Sequence, residues 1–212
     1  MREMLPFKRG QTLNGGGGTA AQRLLNGLEW EGMIFPFPDL SQSGIAPETL
    51  RSNRQVICMV VRNVSGATLY GKQLATLAVD GLNGLARITG HTTTPGARGV
   101  PIDDRLGSAG VLNNDLCYVV LKGPCEILVG EAGDDWNGDI ADGAPLWAAT
   151  GTNSTGGTTA GGRVANLTAA GQTGATGAIS AALNYIGRAL SAKTTQQTTQ
   201  AQSVLVDCNI VL

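Results

Sequence analysis

The sequence predicts an all-β fold, either a compact β-sandwich or a β-barrel, with an extended N-terminal arm. Two observations predict the β class. From Val56 onward, apolar residues recur with a period of two in many short runs, and Gly, Pro and Asn residues separate these runs. Glycine supplies 31 of the 212 residues, about twice its usual share, which agrees with a chain of many turns.

The strands can be placed one after another along the chain. Residues 56–61 form an unbroken apolar run, which predicts a strand buried on both faces. Residues 116–121 and 125–129 flank a Lys-Gly-Pro turn signal at 122–124 and predict a hairpin. Further strands are predicted at residues 68–74, 77–79, 85–89, 144–150, 185–190 and 203–212.

The first 55 residues differ because they show no sustained periodicity. Four glycines at 15–18 predict a hinge, since a glycine run loses much entropy on ordering. Residues 19–28 predict two helical turns with leucines on one side, which need a surface to dock on. The chain thus divides into an arm with a glycine hinge and short helix, residues 1–55, and a β domain, residues 56–212. The β domain contains a Gly/Thr-rich loop at about residues 151–178.

The arm is rich in aromatic residues. Trp30, Phe35 and Phe37 lie within eight residues, and Pro36 and Pro38 keep that stretch extended. Phe7 lies earlier in the arm, beside two basic residues. An apolar extended segment needs a surface to cover. The sequence leaves two alternatives open, in which the arm packs on its own domain or on another protein.

The charge balance excludes several classes of partner. The chain has 15 basic and 16 acidic residues and a net charge of −1. Nucleic-acid coats and polybasic membrane binders both depend on excess Lys and Arg, so neither class fits. The sequence contains no apolar run of about 18 residues, and its first residues lack the apolar core of a signal peptide. We therefore expect a soluble protein of a cytoplasm-like compartment.

Few residues show the pattern of a catalytic site. His91 is the single histidine and lies in a polar stretch, which removes most layouts that use histidine as acid or base. Asp103 and Asp104 are adjacent carboxylates. On a strand they would point to opposite faces, with Arg105 as a salt partner, which argues against a shared hydrolytic site. We predict that the chain is not an enzyme and has no cofactor.

One acidic segment has part of a calcium-binding pattern. Asp135, Asn137 and Asp139 alternate as the first ligands of a calcium loop do. The next glycine comes one position early, and no glutamate occupies the twelfth position. The alternative is a hydrated loop whose Asp and Asn residues build turns. We predict no metal site, and cation binding by this loop stays open.

The four cysteines point to structural rather than chemical roles. Cys58, Cys117, Cys125 and Cys208 lie in apolar, β-branched runs, at spacings that match no zinc site. Free cysteine behaves as a small core residue. We expect buried, reduced thiols, and a disulfide between Cys117 and Cys125 is the lesser alternative.

Three segments carry an order of motifs that is typical of one family. Residues 60–71 read as a strand, a Ser-Gly turn and a strand that ends on glycine, and residues 140–147 contain a Gly-x-x-Leu step. Residues 185–190, Tyr-Ile-Gly-Arg-Ala-Leu, precede a final strand at 204–212 after a polar loop. In this order the segments resemble the head decoration, or capsid cement, proteins of tailed bacteriophages. The resemblance covers about residues 56–212, and the arm and the Gly/Thr-rich loop depart from it.

The resemblance implies a structural virion protein that binds the outer surface of a phage capsid and staples neighbouring shell subunits. Such proteins typically sit as trimers over gaps between shell subunits. The implied partners are therefore the major capsid protein and further copies of this chain in a homotrimer, with no nucleic acid and no membrane. The implied location is the capsid surface of the virion, after assembly in the host cytoplasm.

On this hypothesis, two groups of residues make the contacts. The arm would contact the capsid through Phe7, Lys8, Arg9, Trp30, Phe35 and Phe37. The strands would form the core or the trimer contact through Val56, Cys58, Val60, Tyr118, Val120 and Ile127. Removal of residues 1–38 is then expected to abolish shell binding and to leave a soluble fold.

Two other functions compete with cement. The first is a trimeric fibre or receptor-binding component of the virion, with its Thr/Gly loops displayed to a host glycan. The second is a cell-wall-degrading enzyme that would use the Asp103/Asp104 pair or the acidic loop at 134–142. Copy number per particle separates a fibre from cement, because fibres are rare on a particle and cement is abundant.

Overall fold

The computed structural model describes residues 5–40, 49–79, 85–91, 98–129, 140–148, 164–165, 185–193 and 203–210. These residues are mostly β, and their mixed sheet curls into a nearly closed barrel with almost no helix. The predicted all-β class is confirmed. No helix in this part of the chain has the length and apolar character needed to span a membrane.

The described residues contain one α-helix, one 3₁₀ turn and ten strands. They are α1 Ala20–Leu25, the 3₁₀ turn Leu28–Trp30, β1 Ile34–Leu40, β2 Leu50–Asn63, β3 Leu74–Val79, β4 Ala86–His91, β5 Gly99–Pro101, β6 Leu116–Leu128, β7 Pro145–Ala148, β8 Val164–Ala165, β9 Tyr185–Ala189 and β10 Ser203–Asn209. The strand order is β5-β3-β4-β2-β6-β10-β9-β7-β8, and β1 also pairs with β2. The β2–β4 pair is parallel, which makes the sheet mixed.

The long strands β2 and β6 form the centre of the molecule. The first half of β6 pairs with β2, and its second half pairs with β10. Ile102, directly after β5, forms a bridge with Val119 of β6. The bridge brings the end of β5 to β6, so that β2, β4, β3, β5 and the first half of β6 surround a common interior, which we call the small barrel.

The two faces of β2 and β6 bury two separate cores. Met59 and Val119 belong to a cluster inside the small barrel. Their neighbours Cys58 and Val120 belong to a second cluster on the outer face, which β7, β9 and β10 also line. Successive side chains on a strand point to opposite faces, so a continuous apolar run serves both cores. The prediction of a strand buried on both faces is confirmed for residues 56–61.

The predicted hairpin at residues 116–129 is wrong, because β6 is one continuous strand. Gly123 has a left-handed backbone, with φ of 95°, and packs directly on the backbone of Gln55. Pro124 lies opposite Asp207 of β10. The Gly-Pro pair therefore marks the point where β6 changes its pairing partner from β2 to β10.

The first region contributes to the sheet. β1 pairs with residues 50–59 of β2, so the predicted boundary between residues 55 and 56 falls inside a strand. The four glycines form turns, in which Gly15 and Gly17 donate to the carbonyls of Thr12 and Asn14. The predicted helix is α1, and Thr19 caps it through a capping box with Gln22.

Some of the predicted features lie outside the described residues. Asp135, Asn137 and Asp139 belong to this group, as does the Gly/Thr-rich loop except for β8. His91 ends β4.

Candidate functional site

The N-terminal segment, residues 5–40, covers the outer face of β2 and β6. The rings of Phe7, Phe35 and Phe37 surround Tyr118, with ring centroids 4.5, 6.4 and 5.0 Å away. The Tyr118 hydroxyl donates to the Phe7 carbonyl at 3.0 Å. Burial raises the pKa of this hydroxyl. The segment thus supplies one side of the second core.

Arg9 anchors the segment to the chain after β5. Its Nη2 donates to Asp103 Oδ1 and to Asp104 Oδ1, each at 2.7 Å, and its Nε donates to Asp103 Oδ1 at 3.0 Å. All three side chains are 2% exposed. Burial raises the pKa of Asp104, and the charge of Arg9 opposes this rise. Burial alone would lower the pKa of Arg9, but Asp103 and Asp104 together raise it.

Asp103 and Asp104 both bind the guanidinium of Arg9. The expectation that their side chains point to opposite faces is therefore wrong. Asp103 and Asp104 follow β5 in a turn, where the Leu106 N–H donates to the Asp103 carbonyl. A turn does not impose the alternation of a strand, so both side chains reach Arg9. The Arg105 N–H donates to Asp103 Oδ1 at 3.3 Å. Because Arg9 binds both carboxylates, the three side chains form an ionic anchor for the N-terminal segment.

Arg51 extends this ionic network to β1 and β2. Its Nη2 lies 2.7 Å from Asp39 Oδ1, and its Nη1 lies 3.3 Å from Asp104 Oδ2. Ser52 donates from its hydroxyl to Asp39 Oδ2 at 2.7 Å. The network therefore ties the end of β1 and the start of β2 to the turn after β5.

A second ionic network docks α1. Arg62 of β2 is fully buried, and its Nε donates to Glu31 Oε2 at 2.7 Å. Its Nη1 and Nη2 donate to the carbonyls of Arg23 and Asn26, at the C-terminal end of α1, at 2.7 and 3.0 Å. Glu31 also accepts from Arg87 Nε at 3.0 Å. The docking surface that the short helix needs is therefore polar.

The six predicted arm contacts divide between the core and the surface. Phe7, Arg9, Phe35 and Phe37 are buried, Trp30 is half-buried and Lys8 is exposed. The buried side chains contact residues of this chain, which corresponds to the alternative in which the arm packs on its own domain. Contact of this segment with a capsid stays a prediction, and Lys8 is the one exposed residue of the six.

The six predicted strand residues are all in the second core. They are Val56, Cys58, Val60, Tyr118, Val120 and Ile127, and each has 0% exposure in the single chain. Their burial therefore requires no second copy. A trimer, which stays a prediction, would have to form through other residues.

The cysteines are buried and unpaired. Cys58, Cys117, Cys125 and Cys208 all have free thiols in the interior, as expected. Burial raises the pKa of Cys58, Cys117 and Cys125 above that of an ordinary thiol. Since the thiolate is the reactive form, these side chains act as core residues.

Sequence reasoning missed the buried charges that hold the N-terminal segment. Glu31, Asp39 and Arg62 are each 0–6% exposed, and Arg51 is half-buried. The available signal was the position of Arg62, which continues the apolar run of residues 56–61. A charge at the end of a strand buried on both faces needs a partner. The identity of that partner cannot be obtained from local sequence.

One groove of the described structure has no titratable lining. It has a volume of about 700 Å³ and lies between residues 10–16 and 106–112. Within the described ranges, no three His, Cys, Asp or Glu side chains are placed to hold a metal ion.

Five exposed apolar side chains lie on α1 and in the residues that follow it. Leu24, Leu25, Leu28, Met33 and Ile34 are 42–72% exposed and follow one another closely along the chain. Exposed apolar groups that cluster often mark protein contacts. We call these five residues the α1 surface.

Comparison with known proteins finds no matching family model and no matching curated protein. The chain is structurally similar to the head fiber gp8.5 N base in bacteriophage phi29, a crystal structure. The match covers 73% of this chain and 94% of that chain, with 13% sequence identity and a TM-score of 0.37. Values this low carry no conclusion about function.

Proposed function

We propose that this chain is a structural virion protein that attaches to the outside of a phage head and staples neighbouring shell subunits, as a cement protein does. The observation that carries the proposal is the adjacency of β7, β9 and β10 in the sheet. These strands contain the segments that resemble the Gly-x-x-Leu step and the closing strand pair of the decoration family. β9 and β10 pair with Gly187 opposite Cys208 and Ala189 opposite Val206. Their antiparallel pairing supports the resemblance.

The buried ion pairs of the N-terminal segment also favour a structural role. Two ionic networks, centred on Arg9 and Arg62, fasten the N-terminal segment to the barrel at both ends. Breaking a buried ion pair leaves an uncompensated charge, so such anchors resist local opening. A protein that holds a shell together needs this resistance more than it needs a cleft.

The proposed partners are the major capsid protein and two further copies of this chain. The core strands are already buried within one chain, so we assign the homotrimer contact to the α1 surface. Leu25, which is 72% exposed, lies within it. Burial of apolar side chains of this size favours association.

The molar ratio of this chain to the main shell protein in gradient-purified particles tests the proposal. A cement protein would occur at a fixed ratio near one, because it occupies sites across the whole lattice. A brief wash at high salt is the matched control, since it removes loosely adsorbed protein and leaves lattice-bound copies. Absence from washed particles would contradict any structural role in the virion.

A component of a head fibre or a receptor-binding structure is the second candidate. The phi29 structure compared above is a head fiber base, which is a protein of that class. A fibre component would occur at a few per cent of the shell protein, and gold-labelled antibody would mark discrete sites on the head. A ratio near one with uniform labelling would exclude the fibre role.

A further inference from the structure

The strand β1 has one paired edge and one edge that has no strand partner among the described residues. Its paired edge lies against β2, with Phe35 opposite Cys58 and Phe37 opposite Val56. No other described strand pairs with β1. An unpaired edge presents its backbone N–H and C=O groups to any further strand, so edges of this kind promote association between chains.

A hydrogen bond at the start of β1 shows which residues face the unpaired edge. The Val60 N–H donates to the carbonyl of Met33, directly before β1, at 2.9 Å, so Met33 points this carbonyl toward β2. The backbone groups of successive residues in a strand point to alternate sides. Ile34, Pro36 and Pro38 therefore point their backbone groups toward the unpaired edge.

Two of these three positions lack a hydrogen-bond donor. Proline has no backbone N–H, so over residues 34–38 the unpaired edge carries three carbonyls and one N–H, that of Ile34. An antiparallel pair of strands needs N–H and C=O groups from both strands. A further strand at this edge would therefore leave two of its own carbonyls without donors.

The side chains of this segment carry no charge that would protect the edge. Residues 32–38 read Gly-Met-Ile-Phe-Pro-Phe-Pro. The nearest charged residues, Glu31 and Asp39, are 6% and 0% exposed and are held in ion pairs. Charged side chains on an edge oppose association, and an uncharged apolar strand favours it. The two prolines are therefore the feature of β1 that closes its edge to a further strand.

We propose that Pro36 and Pro38 prevent β1 from pairing with β1 of a second copy of this chain. Two copies would otherwise bring identical, uncharged apolar edges together across a two-fold axis. Both prolines are exposed, so they close the edge without taking part in the core. The proposal is independent of the virion role, because it concerns the association of the purified chain.

The double variant Pro36→Thr/Pro38→Thr tests this role because it restores both N–H groups. Threonine favours strands and is more polar than proline, so the exchange adds no apolar surface. We expect the variant to reach at least about twice the mass of the unchanged chain at equal concentration, because each copy presents one pairing edge. Analytical ultracentrifugation over a range of concentrations measures this ratio, whatever the oligomeric state of the unchanged chain.

Hydrogen exchange shows whether the association uses this edge. The new amides at positions 36 and 38 should exchange more slowly in the associated variant, since a hydrogen-bonded amide exchanges only when its strand pair opens. Pro145→Thr is the matched control, because it replaces an exposed proline of β7, which has a neighbouring strand on each side. This control should have the mass of the unchanged chain at every concentration.

Three results would overturn the proposal. They are an unchanged mass of the double variant at millimolar concentration, an increase in mass without slower exchange at positions 36 and 38, and an equal increase for Pro145→Thr. If the double variant does not fold, Pro36→Thr and Pro38→Thr each restore one N–H and should give a smaller increase in mass, and no increase for either would also overturn the proposal. Failure here would leave the virion proposal untouched, since that proposal is decided by the copy number in particles.

Discussion

Tyr118 shows how a single hydroxyl joins the N-terminal segment to the barrel. Its ring lies among three phenylalanines, and its hydroxyl donates to the Phe7 carbonyl. We expect Tyr118→Phe to lower the free energy of unfolding by about 1 kcal/mol, since one buried hydrogen bond is lost. Urea denaturation measures the change. Tyr70→Phe, at a 46% exposed tyrosine, is the control and should have no effect. Equal effects of the two substitutions would contradict this role of the hydroxyl.

The ion pairs of Arg9 with Asp103 and Asp104 allow a prediction of how stability depends on pH. Arg9→Ala leaves the buried Asp103 and Asp104 with one cation fewer, so we expect a loss of about 3–5 kcal/mol at pH 7. Without Arg9, which opposes the effect of burial, the pKa of Asp104 rises further above its unfolded value. The folded state then binds a proton more tightly than the unfolded state, so the stability of the variant should increase as the pH falls from 7 toward 5.

Urea denaturation of the Arg9→Ala variant at pH 7 and pH 5 measures this recovery. Arg54→Ala breaks the exposed Arg54–Asp207 pair and serves as the control. It should cost less than about 1 kcal/mol at either pH, as exposed ion pairs do. A loss for Arg9→Ala that does not change with pH would show that the carboxylates are not the cause.

At the level of elements, the N-terminal segment acts as part of the barrel. Deletion of residues 1–38 would expose Val56, Cys58, Val60 and Tyr118 and remove most of β1 from β2. We therefore expect the deletion to give a poorly folded or insoluble chain, in contrast to the soluble fold expected from sequence. Dispersion of the amide NMR spectrum measures the outcome. Deletion of residues 1–4 removes none of the described contacts and should retain a native spectrum.

The pairing of β9 with β10 depends on a glycine. A Cβ at Gly187 would collide with the backbone of Asp207 on the neighbouring strand, whereas a Cβ at the exposed Gly107 would meet nothing within 4 Å. We expect Gly187→Ala to destabilise the fold by about 1–3 kcal/mol, the range of overpacking, and Gly107→Ala to be tolerated. Thermal unfolding of the two variants compares them directly. A tolerated Gly187→Ala would mean that the two strands pack less closely.

At the scale of the whole molecule, the residues that form the core differ from those that are available for contact between copies of the chain. Each core residue predicted for a trimer is already buried in one chain, so association would use the exposed α1 surface. We expect the purified 21.7 kDa chain to sediment as a trimer and Leu25→Glu to shift it toward the monomer. Analytical ultracentrifugation measures both states. Leu50→Glu, at a 63% exposed leucine of β2 outside that surface, is the control, and an equal shift would place the contact elsewhere.

The parts of the fold that local sequence predicts are those that local periodicity encodes. The two-sided burial of residues 56–61 and the strands β9 and β10 follow from side-chain alternation. The buried thiols follow from the apolar runs that contain them. The hairpin prediction failed because a Gly-Pro pair is compatible both with a turn and with a strand that changes partner. Only the availability of β10 as a partner decides between the two.

The sequence by itself determined the all-β class, the central two-sided strand and the small number of chemically active groups. The tertiary structure alone decided where the N-terminal segment lies. Arg9 pairs with Asp103, which is 94 positions away in the sequence, and Arg62 pairs with Glu31, which is 31 positions away. Such long-range ion pairs depend on which surfaces, distant in sequence, are left uncovered after the strands have paired. A local sequence pattern carries no information about these distant surfaces.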